Sequence, residues 1–123
     1  SGAETIADIY CGVGTFNIPF AKKAKKVYGI ETDLANIKFL KKNVKENNIN
    51  NFSIQKGASE KFIGKILRNK IDMLILDPPR KGLGDNVCKE IIKEQAKDIF
   101  YISCNPATLI RDLKILRAKY NIK

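Results

Sequence analysis

Histidine is absent from these 123 residues, so an imidazole base, a Ser-His-Asp triad and a histidine metal site are all excluded within the chain. A base drawn from this sequence has to be a carboxylate or a lysine. Cysteine is scarce and odd in number, with Cys11, Cys88 and Cys104 at irregular spacing. That pattern supports neither a disulfide framework nor a CxxC metal site, and it fits a reducing cytoplasm. No metal is expected. No apolar run approaches the roughly 18 residues of a membrane span, and Ser1-Gly2-Ala3-Glu4 has neither the basic nor the apolar region of a signal peptide, so no membrane partner is expected. Acidic charge is also in short supply. Against 23 Lys and Arg stand 13 Asp and Glu, and the net charge of +10 favours a polyanionic partner, although a lysine-rich solvated surface has the same composition.

What is present reads as one compact domain of alternating apolar runs and amphipathic stretches. Strands are expected at Thr5–Tyr10, Lys26–Ile30 (ending at Glu31), Phe52–Gln55, Ile71–Leu76 and Ile99–Ser103. Helices are expected from Phe16 to Lys23, from the N-cap Asp33 onward with Leu34, Ile37, Leu40 and Val44 inward, from Ser59 to Asn69, from Val87 to Ala96 and from Ala107 to Tyr120. The nearly unbroken apolar run before Asp77-Pro78-Pro79 marks a central strand covered on both faces. Such an alternation predicts an α/β fold, a doubly wound, mainly parallel sheet with ligands beyond the carboxyl ends of its strands.

The polar punctuation collects at those ends. Gly12 and Gly14 permit a tight turn and close approach by a ligand, but Asn17 stands where a dinucleotide fingerprint needs a third glycine. Glu31, 19 residues after Gly12, ends the second strand where a carboxylate can accept the hydroxyls of a ribose. Together these point to a nucleoside cofactor bound without reliance on a pyrophosphate; a plain turn and a solvated glutamate remain the alternative. Asp77-Pro78-Pro79-Arg80 would hold Asp77 rigidly at the same edge. Cys104 ends the fifth strand just before a helix whose N-terminal dipole favours a thiolate, whereas Cys88 and Cys11 read as packing residues.

In order along the chain, Asp8-Ile9-Tyr10-Cys11-Gly12-Val13-Gly14-Thr15-Phe16, Gly29-Ile30-Glu31, Asp77-Pro78-Pro79-Arg80-Lys81-Gly82-Leu83 and Tyr101-Ile102-Ser103-Cys104-Asn105-Pro106-Ala107-Thr108-Leu109 resemble the RNA 5-methyluridine methyltransferases. The resemblance implies a Rossmann-like class I methyltransferase fold, C-terminally truncated. It implies S-adenosylmethionine as cofactor, contacted by Tyr10, Glu31 and Asp77 over a loop shaped by Gly12 and Gly14. Cys104 would be the nucleophile, adding to C6 of a uridine in ribosomal or, less favoured, transfer RNA. Members carry a proton-abstracting glutamate further on, in a segment containing histidine. The resemblance therefore implies a partial catalytic core, residues 1–123, that turns over poorly by itself. The upstream glutamine, the RNA-binding domain and the iron-sulfur cluster of some members also fall outside it, and Gly57-Ala58-Ser59-Glu60 offers no aspartate to an adenine.

Other readings weigh less. Amino-directed methyltransferases with an Asn/Asp-Pro-Pro motif place an aromatic residue where Arg80 stands and need no cysteine; cytosine-C5 enzymes surround their cysteine differently. A non-catalytic RNA-binding module explains the charge but not the clustering at one sheet edge. A small-molecule methyltransferase would bind RNA weakly and without salt dependence. A sheet edge left exposed could pair with a second copy.

Overall fold

A computed structural model of the chain describes residues 4–14 and 17–120. Five strands, β1 (Thr5–Ile9), β2 (Lys26–Glu31), β3 (Phe52–Lys56), β4 (Met73–Leu76) and β5 (Asp98–Tyr101), form one sheet. They alternate with α1 (Asn17–Ala21), α2 (Leu34–Glu46), α3 (Ser59–Leu67), α4 (Asp85–Glu94) and α5 (Pro106–Leu116). The strand order is β3-β2-β1-β4-β5, and every pairing is parallel. The order reverses between β1 and β4, so the crevice for a ligand opens beyond Ile9 and Leu76, which face each other in register.

Period-two alternation decides which helices cover which face. Ala7, Ile9, Leu74 and Leu76 join Ile63, Leu67, Val87, Ile91 and Leu116 in a core under α3, α4 and α5. Ile6, Val27 and Ile75 point the other way and meet Ala21 of α1. β4 is buried from Leu74 to Leu76, as its apolar run predicts, and each such side chain contributes about 1.5–3 kcal/mol on burial. Asp72 Oδ2 accepts from Thr5 N at 3.0 Å, and Asn51 Nδ2 donates to the carbonyls of Ala21 and Ala24 at 2.8 and 2.7 Å, closing the amino ends of the strands.

Several expected boundaries shift. Asp33 does cap α2, accepting from Asn36 N at 3.0 Å, but Leu34 is 63% exposed instead of inward. On a 3.6-residue helix Leu34 lies roughly 60° from Ile37 on the side away from Leu40, outside the covered stripe. β5 ends at Tyr101 and not at Ser103, because Ser103 Oγ accepts from Asn105 N and donates to Asn105 O, both at 3.0 Å, turning the chain out of the ladder. α4 begins at Asp85 and stops before Gln95, whose φ of 51° lies in the left-handed region. α5 begins at Pro106 and ends at Leu116; Tyr120 still packs inward, accepting from Ala96 N at 2.9 Å. The expected start of α1 at Phe16 lies outside the described residues. β5 is a sheet edge, with Phe100 exposed.

Candidate active site

Beyond β1, positive φ angles at Tyr10 (66°), Gly12 (58°) and Gly14 (96°) coil the chain into a loop that returns on itself. Cys11 N donates to Ile30 O and Gly14 N to Cys11 O, each at 3.1 Å, and Asn43 Nδ2 of α2 holds Val13 O at 2.9 Å. The two glycines differ in what surrounds them. A Cβ on Gly14 would stand 2.8 Å from Ile18 Cγ1 and Leu40 Cδ1, whereas a Cβ on Gly12 would meet nothing within 4 Å. Gly14 serves packing, and Gly12 faces open space.

Glu31 closes this loop from β2. Its Oε1 accepts from Gly12 N at 2.9 Å, and its Oε2 accepts from Thr32 N and Asp33 N at 3.0 and 2.8 Å. A carboxylate has about four lone-pair positions, so three backbone donors leave about one without a partner among the described residues. Tyr10 and Glu31 are neighbours because Ile9 and Ile30 pair in register, and Asp77 follows Leu76 on the other side of β1. Burial pushes the half-buried Tyr10 hydroxyl above its ordinary pKa, so it stays a neutral donor.

Asp8, at the end of the same strand, is buried and paired with Asn17 Nδ2 at 2.8 Å. Its pKa is raised to about 7, chiefly by desolvation, against the lowering effect of the Asn17 bond and with further raising by Asp77 and Glu31. In a chain of net charge +10, the carboxyl groups of Asp77 and Glu31 thus lie near enough to the buried Asp8 to help raise its pKa. Among the described residues no group of three His, Cys, Asp or Glu is placed to hold a metal ion, and no helix is long and apolar enough to cross a membrane.

Cys104 is exposed, while Cys11 and Cys88 are buried. Burial pushes the Cys88 thiol up to about 12 and the Cys11 thiol higher still, which makes both poor nucleophiles. Beside Cys104, Asn105 caps α5, accepting from Ala107 N at 3.1 Å, and its Nδ2 donates to Arg80 O at 3.1 Å. Thr108 Oγ1 donates to the same carbonyl at 2.9 Å, and Arg111 Nη2 donates to Lys81 O. The loop after Asp77 and the loop bearing Cys104 are therefore fastened together.

The structure thus joins Tyr10, Gly12, Gly14 and Glu31 in one group and ties the Asp77 and Cys104 loops in a second, at the same edge of a parallel sheet. Sequence reasoning missed Asp8, treated Asn17 only as a failed glycine, and passed over Asp112, which is wholly buried in α5. An acid within an apolar strand, and one between Leu109 and Leu113 on a buried helix stripe, were the available signals.

Comparison with known proteins agrees with this fold. The family model described as tRNA (uracil-5-)-methyltransferase matches residues 2–123. An RNA methyltransferase of Clostridium acetobutylicum is 47% identical over 115 residues, 94% of this chain and 25% of that protein. One from Enterococcus faecalis is 42% identical over 118 residues, 94% of this chain and 26% of its own length. The chain therefore spans about a quarter of the curated relatives it matches. The crystal structure of the Pyrococcus abyssi tRNA (uracil-54, C5)-methyltransferase in complex with S-adenosyl-L-homocysteine superimposes with a TM-score of 0.84 at 36% identity, over 98% of this chain and 29% of that one. The precorrin-6y C5,15-methyltransferase of Geobacter metallireducens, at 12% identity and a TM-score of 0.77, shares the fold. On the match of nearly its whole length, the chain belongs to the tRNA (uracil-5-)-methyltransferase family.

Proposed function

We propose that this chain is the cofactor-binding, nucleophile-bearing part of a cytoplasmic enzyme that methylates C5 of a uridine in RNA. The observation that carries the reading is the exposed Cys104 on a loop hydrogen-bonded to the one that follows Asp77, at the sheet edge where Glu31 gathers Gly12. Bound S-adenosylmethionine would supply an electrophilic methyl group on a sulfonium. The residues present fit it: the open space over Gly12 would admit the cofactor, the remaining lone pair of Glu31 would take a ribose hydroxyl, and the Asp77 carboxyl would favour its cationic end.

C5 of uracil is a weak nucleophile. Addition of the Cys104 thiolate to C6 would place an enolate across C4–C5, and that enolate would take the methyl group. A base must then remove the C5 proton before the cysteine leaves. The base that the family resemblance implies is a glutamate in a segment that also contains histidine; these residues contain no histidine, so we place that base outside them and read residues 1–123 as a partial catalytic core. The uridine would have to leave its stack to reach Cys104, and the +10 charge would hold the surrounding phosphates.

The reading is tested by calorimetric titration with S-adenosylhomocysteine and by covalent capture of 5-fluorouridine RNA, in transfer and ribosomal forms, by the whole protein. Capture that requires Cys104 supports it. Salt-dependent RNA binding with no capture and no cofactor affinity would instead favour a non-catalytic RNA-binding module.

A further inference from the structure

Asp112 lies mid-way along α5 on the stripe that faces the sheet, and it is 0% exposed. An apolar residue there would continue the stripe, whereas a buried carboxylate is costly unless well paired. It is paired with unusual economy of atoms. Oδ2 accepts from Leu83 N at 2.9 Å and from Tyr101 Oη at 2.6 Å. Oδ1 has Cys88 Sγ at 3.9 Å and Arg111 Nε at 3.7 Å. Burial, then the bond to Asp112, keeps the Tyr101 hydroxyl far above its ordinary pKa, so it remains the donor.

The two donors on Oδ2 come from different segments. Leu83 lies in the loop that follows Asp77, and Tyr101 is the last residue of β5 before the turn to Cys104. Backbone fits closely here: a Cβ on Gly82 would stand 2.6 Å from Asp112 Oδ2, and Gly82 has a φ of 82°. The loop can lie against the carboxylate only with glycine at that position.

Resting on the reading of Cys104 as nucleophile and Asp77 as a cofactor contact, we propose that Asp112 is a positioning residue that sets the separation of those two loops through one oxygen shared by Leu83 N and Tyr101 Oη. It touches neither substrate nor cofactor. Methyl transfer needs sulfur, C6, C5 and the methyl carbon held in one geometry, and misplacement of about 1 Å costs on the order of a hundredfold.

The test uses the whole protein with Asp112→Asn and Tyr101→Phe. The rate of 5-fluorouridine RNA capture is measured at saturating cofactor and RNA and counted per molecule competent to bind S-adenosylhomocysteine. Expected is a fall of at least about tenfold in each variant, with S-adenosylhomocysteine affinity within about threefold of wild type. The double variant should be little slower than the slower single one, because both weaken the same bond: Tyr101→Phe removes its donor, and Asp112→Asn takes the charge from its acceptor. Wild-type rates per competent molecule would reduce Asp112 to a fold-stabilising group and overturn the proposal. A loss of cofactor affinity with capture unchanged at saturation would overturn it too. Wild type that fails to capture, or Cys104→Ser that still captures, would overturn the underlying reading and the proposal with it.

Discussion

Asn17 Nδ2 donates to Asp8 Oδ2 at 2.8 Å in the interior, and among the described residues the other carboxyl oxygen, Asp8 Oδ1, and the single side-chain oxygen of Asn17, Oδ1, have no hydrogen-bond partner. Two buried acceptors left over beside one bond are costly in the ionised state. A proton on Asp8 turns one of these acceptors into a donor and removes the buried charge. The raised pKa of about 7 agrees with that protonated form.

The pH dependence follows in sign. The folded state holds the Asp8 proton more tightly than the unfolded state, whose value is 3.8. This contribution to stability is full below about pH 4 and is lost as pH rises toward 7, by about 4 kcal/mol at most. Asp8→Asn stays neutral throughout, and its amide can donate to Asn17. Urea unfolding at pH 5 and pH 8 should therefore show a smaller loss in the variant than in wild type; equal losses would remove Asp8 as the titrating group.

Glu31→Gln keeps an acceptor for Gly12 N but removes the charge. Affinity for S-adenosylhomocysteine should drop by about tenfold, with circular dichroism unchanged, since a hydrogen bond to a charged group contributes about 1.5–3 kcal/mol. Undiminished affinity in calorimetry would move the ribose site away from β2.

Cys104→Ser should abolish capture of 5-fluorouridine RNA while leaving cofactor affinity intact. Because Cys104 is exposed, the unfolding free energy should change by no more than about 0.5 kcal/mol. A much larger destabilisation would mean that the thiol is packed in the protein and not presented to a substrate.

The glycines of the first loop should separate by function. Gly12→Ala meets no atom, so it should cost only about 1–2 kcal/mol for the left-handed backbone while blocking cofactor binding. Gly14→Ala meets Ile18 and Leu40 and should destabilise by more, as measured in urea. The reverse order of stabilities would contradict the open space over Gly12.

Much of the candidate site was legible in the sequence because its placement at one sheet edge rests on local signals. Gly12, Glu31, Asp77 and Cys104 each punctuate the end of an apolar run, and a parallel sheet puts all such ends on one edge. Asp33 announced its cap correctly, since capping is a contact three residues away. Leu34 misled because helical spacing alone does not say how wide the covered stripe is, and Ser103 misled because a side-chain turn ends the ladder before the β-rich run does.

The sequence by itself determined the alternation of elements, the burial of β4 and the residue types at the crevice, for these depend on periodicity and on neighbours along the chain. Tertiary structure decided the order β3-β2-β1-β4-β5, the grip of Asn105 and Thr108 on Arg80, and the convergence of Leu83 and Tyr101 on Asp112. It also decided the charge of Asp8, whose partner lies nine residues away and whose desolvation comes from the surrounding core. Contacts between distant segments leave no periodic trace in a single sequence, and a pKa depends on what surrounds the group in space.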